Sequence, residues 1–395
     1  MVSELDFFAR STWAGLNDTQ VGVTWQRYVQ QTPQLSQGCP KVGVGFFWYP
    51  SIGGYLRGAK ALAPIAKGEK LCQVPVGHLL SEFSVGNSSL HTISEALETE
   101  AQAAASQAAA ASEAPGRRRA RLRLLQPDKR AMMTVLLLRE LARSRSPMMP
   151  YASMISSHNV DGVPMLWSTD SARWRSASPK LRDMAASARA GVERAYANVV
   201  PTAIARFAPE LSEGLGCSGA RGACDRAQLG QLYSYAAFAR LFAILAARDW
   251  VLPMYGRSRP FLSPVMDLFN FGQDGIRGKH APGAQPPWAS SACLVRACLV
   301  CMLLPDLLPA LLPALLLALL PACSDESAVR ALAREAHFDD KAHAFVATAA
   351  QPIREGTELL FYYGTMCRES WISMYGFAPS EAEPCAERRR PVNTP

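Results

Sequence analysis

The sequence predicts an α+β fold, with short β-strands near both ends of the chain and a block of helices between them. Three observations carry that expectation. Residues 42–80 hold short apolar runs punctuated by glycine and proline. Residues 128–250 hold three long helical stretches. Residues 337–377 return to short β-like runs before a last helix. The chain has 395 residues, 49% hydrophobic and 19% charged, which is long and apolar enough for a sizeable core and excludes a disordered chain.

Taken in order, residues 17–38 are rich in Gln, Thr and Asn around Trp25 and Tyr28, and suit a short helix or a loose arm. The run VGVGFFWYP then alternates weakly and ends in a Pro-Ser turn. Gly53, Gly54 and Gly58 follow, and Ala66-Lys67-Gly68-Glu69 turns between two short apolar runs, the pattern of a hairpin or meander. Residues 94–127 are alanine-rich without an amphipathic face and end in Arg117-Arg118-Arg119-Ala120-Arg121-Leu122-Arg123. They read as a low-complexity linker closed by a solvated charge run.

Residues 128–246 read as a helical insertion. Asp128 is placed to cap MMTVLLLRELAR, residues 180–206 form a second helix, and 227–250 a third. The stretch LYSYAAFARLFAILAARDW is apolar on nearly every face, so that helix is expected to be buried. Residues 247–377 resume the β pattern, interrupted by an apolar insert at 290–335. Its leucine-rich centre, 293–323, is long enough to span a membrane, but Arg296, Asp306 and the prolines at 305, 309, 313 and 321 would break a spanning helix. A low-complexity insertion that the fold tolerates, or a stretch absent from the mature protein, is expected instead, with no membrane partner. Residues 378–395 are expected to be a disordered tail.

The ten cysteines form no paired CxxC set. Cys298 and Cys301 make a lone one inside an apolar run, so no metal site is expected. Free thiols in a reducing, intracellular compartment are the expectation, and Glu4 and Asp6 stand where a secretory or transit sequence would carry neither. The net charge of +8 suits an acidic partner but requires no nucleic acid, and nothing asks for more than a monomer.

Four segments, read together, resemble one family. They are Gly58-Ala59-Lys60 through Gly68-Glu69 to Val74-Pro75; Pro150-Tyr151 with Pro164 to Trp167-Ser168; Arg248-Asp249-Trp250 followed by Asp267-x-x-Asn270-Phe271; and Gly356-Thr357-Glu358 through Tyr362-Tyr363-Gly364 to Tyr375-Gly376-Phe377. Their order and spacing resemble the SET methyltransferases of the Rubisco large-subunit lysine methyltransferase type, in which a helical insertion splits the SET domain. The resemblance implies SET-type β-sheets around a pseudoknot, with residues 42–93 and 247–377 as the two SET parts. It also implies S-adenosyl-L-methionine as cofactor and a lysine-containing protein as substrate.

In that family's terms Tyr363 matches the catalytic tyrosine. Leu56, Arg57, Gly58 and Lys60 match the strand whose backbone grips the cofactor. Arg248 and Asn270 match the residues that meet the cofactor's carboxylate and ammonium, and Phe271 stands where the family usually has histidine. Asp267, Tyr362, Tyr375 and Phe377 fall on the substrate channel. The chemistry suits these residue types. A lysine amine, with a pKa of about 10.4, must lose its proton before it can attack a methyl group, and an aromatic, water-poor channel disfavours the ammonium. The sulfonium is itself attracted to ring faces. Leu56 replaces the first glycine of the family's Gly-x-Gly and would be strained if that site needed a positive φ. Those two departures, with the family's C-terminal helical lobe expected to be missing or truncated, keep a second function open, a SET-like binding module without catalysis. Protein histidine is the alternative acceptor.

Overall fold

In a computed structural model, the described residues are 18–49, 54–110, 129–143, 145–217, 224–271, 331–361, 366–378 and 382–385. They form two compact units. Unit 1 comprises Met1–Tyr28, Pro75–Pro264 and Gly364–Pro395, and unit 2 comprises Val29–Val74 and Val265–Tyr363.

The Gln/Thr-rich start is helical, as α1 (Asp18–Gln31) and α2 (Pro33–Gly38), with Trp25 and Leu35 fully buried. The glycine-punctuated stretch then gives β1 (Val42–Tyr49), β2 (Gly54–Ala61) and β3 (Lys70–Pro75). A short strand β4 (Leu80–Ser81) runs into α3 (Glu82–Gly86), where Ser81 and Ser84 form a capping box. Next comes α4, Leu90–Ala110. This corrects the linker reading of residues 94–110, where alanine's helix propensity prevails without an amphipathic stripe. Residues 111–128, with the basic run and Asp128, lie outside the described residues.

The helical block follows as α5 (Lys129–Ala142), α6 (Met149–Ser156), α7 (Ala172–Ser176), α8 (Pro179–Arg206), α9 (Ala208–Ser212), α10 (Arg226–Leu232) and α11 (Tyr235–Arg248). The expected single helix over 227–250 is therefore two. Ser234 accepts from Ala237 N and caps a new helix, breaking the run at Tyr233. As the composition required, α11 is deeply buried, with Phe238, Leu241, Ile244 and Leu245 at most 0% exposed. Among the described residues, Arg226–Arg248 is the stretch apolar enough to cross a membrane, and it is largely packed inside the protein. A buried polar cluster braces this unit. Arg139 donates to Ser89 and pairs with Glu140, which also accepts from Ser146. Burial holds the Tyr233 hydroxyl, which donates to Leu211 O, well above its ordinary pKa. The antiparallel strands β5 (Trp250–Met254) and β6 (Arg257–Leu262) pair with β4 in a three-stranded sheet.

The chain then supplies β7 (Asn270–Phe271), β8 (Ala331–Asp339), β9 (Ala344–Ala349) and β10 (Glu358–Phe361), and closes with α12 (Arg368–Tyr375). Residues 272–330, with the whole apolar insert core, lie outside the described residues. In unit 2 the seven-stranded sheet runs β1-β2-β10-β8-β9-β3, with β7 added on β10. β2 meets β10 antiparallel, Lys60 opposite Glu358, whereas β7 meets β10 parallel, Asn270 opposite Leu360. Ala59, Leu71, Val74, Phe345, Leu359 and Leu360 fill its core.

Two further corrections concern the cysteines and the tail. Cys39–Cys72, Cys217–Cys224 and Cys367–Cys385 are disulfides, so six of the thiols expected to be free are not. The spacing hid the pairs, because each joins cysteines brought together only by folding. Ala382–Cys385, assigned to a disordered tail, is held against α12 by Cys367–Cys385 and by the Arg368 N–H, which donates to Glu383 O at 2.7 Å.

Candidate active site

Three distant chain segments meet on one strand junction in unit 2. β2 brings Arg57, Gly58 and Lys60, β7 brings Asn270 and Phe271, and β10 brings Glu358. The Asn270 amide donates to Arg57 O at 3.0 Å and to Glu358 Oε1 at 3.0 Å. These two acceptors match its two hydrogens. Gly58 makes this possible. A Cβ there would stand 2.8 Å from Asn270 Nδ2, 2.9 Å from Glu358 Oε1 and 3.1 Å from a Phe47 ring carbon. Glu358 is 5% exposed, a buried carboxylate beside the amide that it holds.

The structure thus brings together Arg57, Gly58 and Asn270 of the residues the sequence singled out. It adds Glu358, which the sequence reading quoted but gave no role. The signal was available: a glutamate at the head of the buried strand Glu-Leu-Leu-Phe needs a polar partner. Lys60 is half-buried on the same strand. Leu56 lies in extended backbone opposite Phe47 and is 36% exposed, and its φ is not positive, so the strain expected of a leucine there does not arise. Phe271 pairs with Phe361 in the parallel ladder. Asp267 is buried, 3% exposed, in the short turn Met266–Leu268 that leads into β7. Nearby, Phe269 packs edge-on against Phe361 at 5.7 Å.

Arg248, Tyr375 and Phe377 belong to unit 1. Arg248 ends α11 and is half-buried, and the next residue, Asp249, pairs with Arg130 of α5 at 2.5 Å, which fixes the end of that helix. Tyr375 and Phe377 join Trp371 in a ring cluster, with centroids 5.1, 6.0 and 6.1 Å apart. Tyr362 and Tyr363 lie outside the described residues. Tyr375 and Phe377 also line an open cleft of about 780 Å³ with Asp161, Trp167, Arg173 and Arg368. Its floor is a crossing of two main chains. Gly376 has φ +79°, and a Cβ on it would lie 2.7 Å from Gly162 C. Cys367, Glu369 and Cys385 offer donor atoms within 4.8 Å of one another, but the two sulfurs are bonded to each other.

No protein-family model matches the chain, and no curated protein matches it. Solved structures do. The SET domain of LSMT bound to lysine and AdoHcy superposes with a TM-score of 0.52 at 12% identity, covering 92% of this chain. Rubisco LSMT bound to sinefungin and monomethyllysine superposes with a TM-score of 0.52 at 13% identity, covering 93%. The fold is that of a SET domain. This chain spans 58% and 57% of the length of those two chains.

Proposed function

We propose that the protein is an S-adenosylmethionine-dependent methyltransferase that modifies a protein lysine. The observation that carries this reading is the Gly58–Asn270–Glu358 junction, set at the meeting of three strands in a SET fold. Its donor set fits the amino-acid end of the cofactor. Asn270 Oδ1 and the Glu358 carboxylate are of the type that accepts from an ammonium. When bound, S-adenosylmethionine supplies an electrophilic methyl group.

This chain's residues then bind, orient and exclude water. Asn270 is oriented before any ligand arrives, because Arg57 O and Glu358 fix its amide. Arg248 is assigned to the cofactor carboxylate, and Lys60 to the same group, by the resemblance. The resemblance assigns Tyr375 and Phe377 to the lysine channel, and in this structure both rings line the open cleft of unit 1. By the resemblance, the Tyr363 hydroxyl is assigned to hold the lysine amine by accepting from one of its N–H groups, which leaves the nitrogen lone pair free to attack the methyl carbon.

Calorimetric titration with S-adenosylhomocysteine, together with transfer of a labelled methyl group to lysate proteins, tests the proposal. The parent should bind. Asn270→Ala should weaken binding by about 1.5–3 kcal/mol, the range for a hydrogen bond to a charged group. Tyr363→Phe should keep the affinity and lower transfer about 10²-fold or more. A parent that binds without transferring would favour the binding-module reading, and a parent that does not bind would end both.

A further inference from the structure

We propose that the cleft of unit 1 selects the substrate by binding an acidic peptide segment of it. This rests on the methyltransferase reading and names the substrate class within it. The first support is charge. Arg173 and Arg368 both line the cleft, and each is fixed through one hydrogen bond to a main-chain carbonyl. Arg173 Nη1 donates to Asp161 O at 2.7 Å, and Arg368 Nε donates to Ala382 O at 3.1 Å. Neither lies within ion-pair distance of a carboxylate among the described residues, so each presents its remaining N–H groups already oriented. Against these two guanidiniums the cleft lining sets one carboxylate, Asp161, and the charge of Arg368 also acts on the neighbouring Glu369.

The second support is shape. The Trp167 indole donates to the same Asp161 carbonyl at 2.8 Å, so ring and guanidinium are locked to one backbone atom. Phe377 is 47% exposed at the cleft and Tyr375 is half-buried, which gives apolar wall beside the charges. A groove with fixed aromatic faces and forked donors suits an extended peptide that alternates acidic and apolar side chains. The chain's own residues 386–395 are a poor occupant, because Arg388, Arg389 and Arg390 against one Glu387 would be repelled.

The test is fluorescence anisotropy of the full chain with labelled peptides. One carries glutamates and a phenylalanine around a single lysine. The second has glutamine at every glutamate. The glutamate peptide should bind about tenfold tighter at low salt, with the lead shrinking as salt rises. Arg173→Glu and Arg368→Glu should each erase the lead. If either fails to fold by circular dichroism, Arg173→Gln and Arg368→Gln should halve it or more. Equal affinity for the two peptides, a lead that survives both substitutions, or tighter binding of a single-stranded RNA oligonucleotide would overturn the proposal. S-adenosylhomocysteine titration of the same samples separates the two readings. Cofactor binding without peptide discrimination overturns the acidic cleft alone, whereas discrimination without cofactor binding supports the cleft and overturns the methyltransferase.

Discussion

The strand junction of unit 2 and the cleft of unit 1 are built in opposite ways. At the junction, side chains are packed onto strands. Gly58 is bare so that Asn270 and Glu358 can close over it, and Asn270's two hydrogens are matched within the protein. In the cleft the main chain does the close packing, Gly162 against Gly376, and Arg173 and Arg368 are each anchored through a hydrogen bond to a main-chain carbonyl. A site of the first kind suits one invariant group such as a cofactor. A site of the second kind suits a partner whose sequence varies.

The comparison breaks most easily at the two glycines. Alanine at Gly376 meets main chain, which cannot rotate away, in a left-handed conformation. Strain of about 1–2 kcal/mol for that conformation adds to about 1–3 kcal/mol for overpacking, so Gly376→Ala should lose roughly 2–5 kcal/mol in urea unfolding. Alanine at Gly58 meets the ends of Asn270 and Glu358, which can swing aside. Gly58→Ala should therefore lose only about 1–2 kcal/mol of stability, yet lower S-adenosylhomocysteine affinity tenfold or more by displacing the Asn270 amide. Equal stability losses in the two variants would mean that the two floors are not built differently.

Disulfides sharpen the same contrast at a similar scale. Cys367–Cys385 closes a sequence separation of 18 around α12 and the cleft residues Tyr375 and Phe377, and Cys39–Cys72 closes 33 in unit 2. Loop-closure entropy assigns about 3 kcal/mol to the shorter ring and about half a kcal/mol more to the longer. Cys385→Ser should cost stability and weaken peptide binding at the cleft while leaving cofactor affinity alone. Cys39→Ser should cost slightly more stability. Melting each variant with and without dithiothreitol checks both, since a reductant should erase the difference between parent and variant.

Much of this was legible in the sequence, for local reasons. Hairpin turns announce themselves by glycine, and α11 by its apolar composition, although the Ser234 cap that divides residues 227–250 went unread. Asn270 and Gly58 were found because each sits in a short motif of the right residue types. Glu358 was missed as a partner because its role depends on register: only the antiparallel β2–β10 and parallel β7–β10 pairings bring residues 57, 270 and 358 together. The disulfides were missed for the same reason. Alanine-rich Leu90–Ala110 was misjudged because periodicity was weighed above propensity. The cleft's arginines, separated by 195 positions in sequence (173 to 368), gave no signal at all until the chain folded.

The smallest effect expected concerns Glu369, in the first turn of α12. Its carboxylate accepts the Cys385 N–H at 2.7 Å. That hydrogen bond is the main cause holding its carboxyl below the ordinary glutamate value, with its own backbone N–H and the charges of Lys180 and Arg368 adding to it. A group whose folded pKa lies below its unfolded one stabilises the fold above the unfolded value, about 4.3, and loses that contribution as pH falls through the folded value. The hold that Glu369 keeps on the tail is therefore complete at neutral pH and weakens below about pH 4. Solvent screens a carboxylate this accessible, so the contribution is a few tenths of a kcal/mol. Glu369→Gln keeps an acceptor oxygen but cannot titrate. Its unfolding free energy should fall short of the parent's at pH 7 by those few tenths and converge with it as the parent's carboxylate is protonated in acid. Parallel pH curves for parent and variant would show that the Cys385 amide does not depend on this charge.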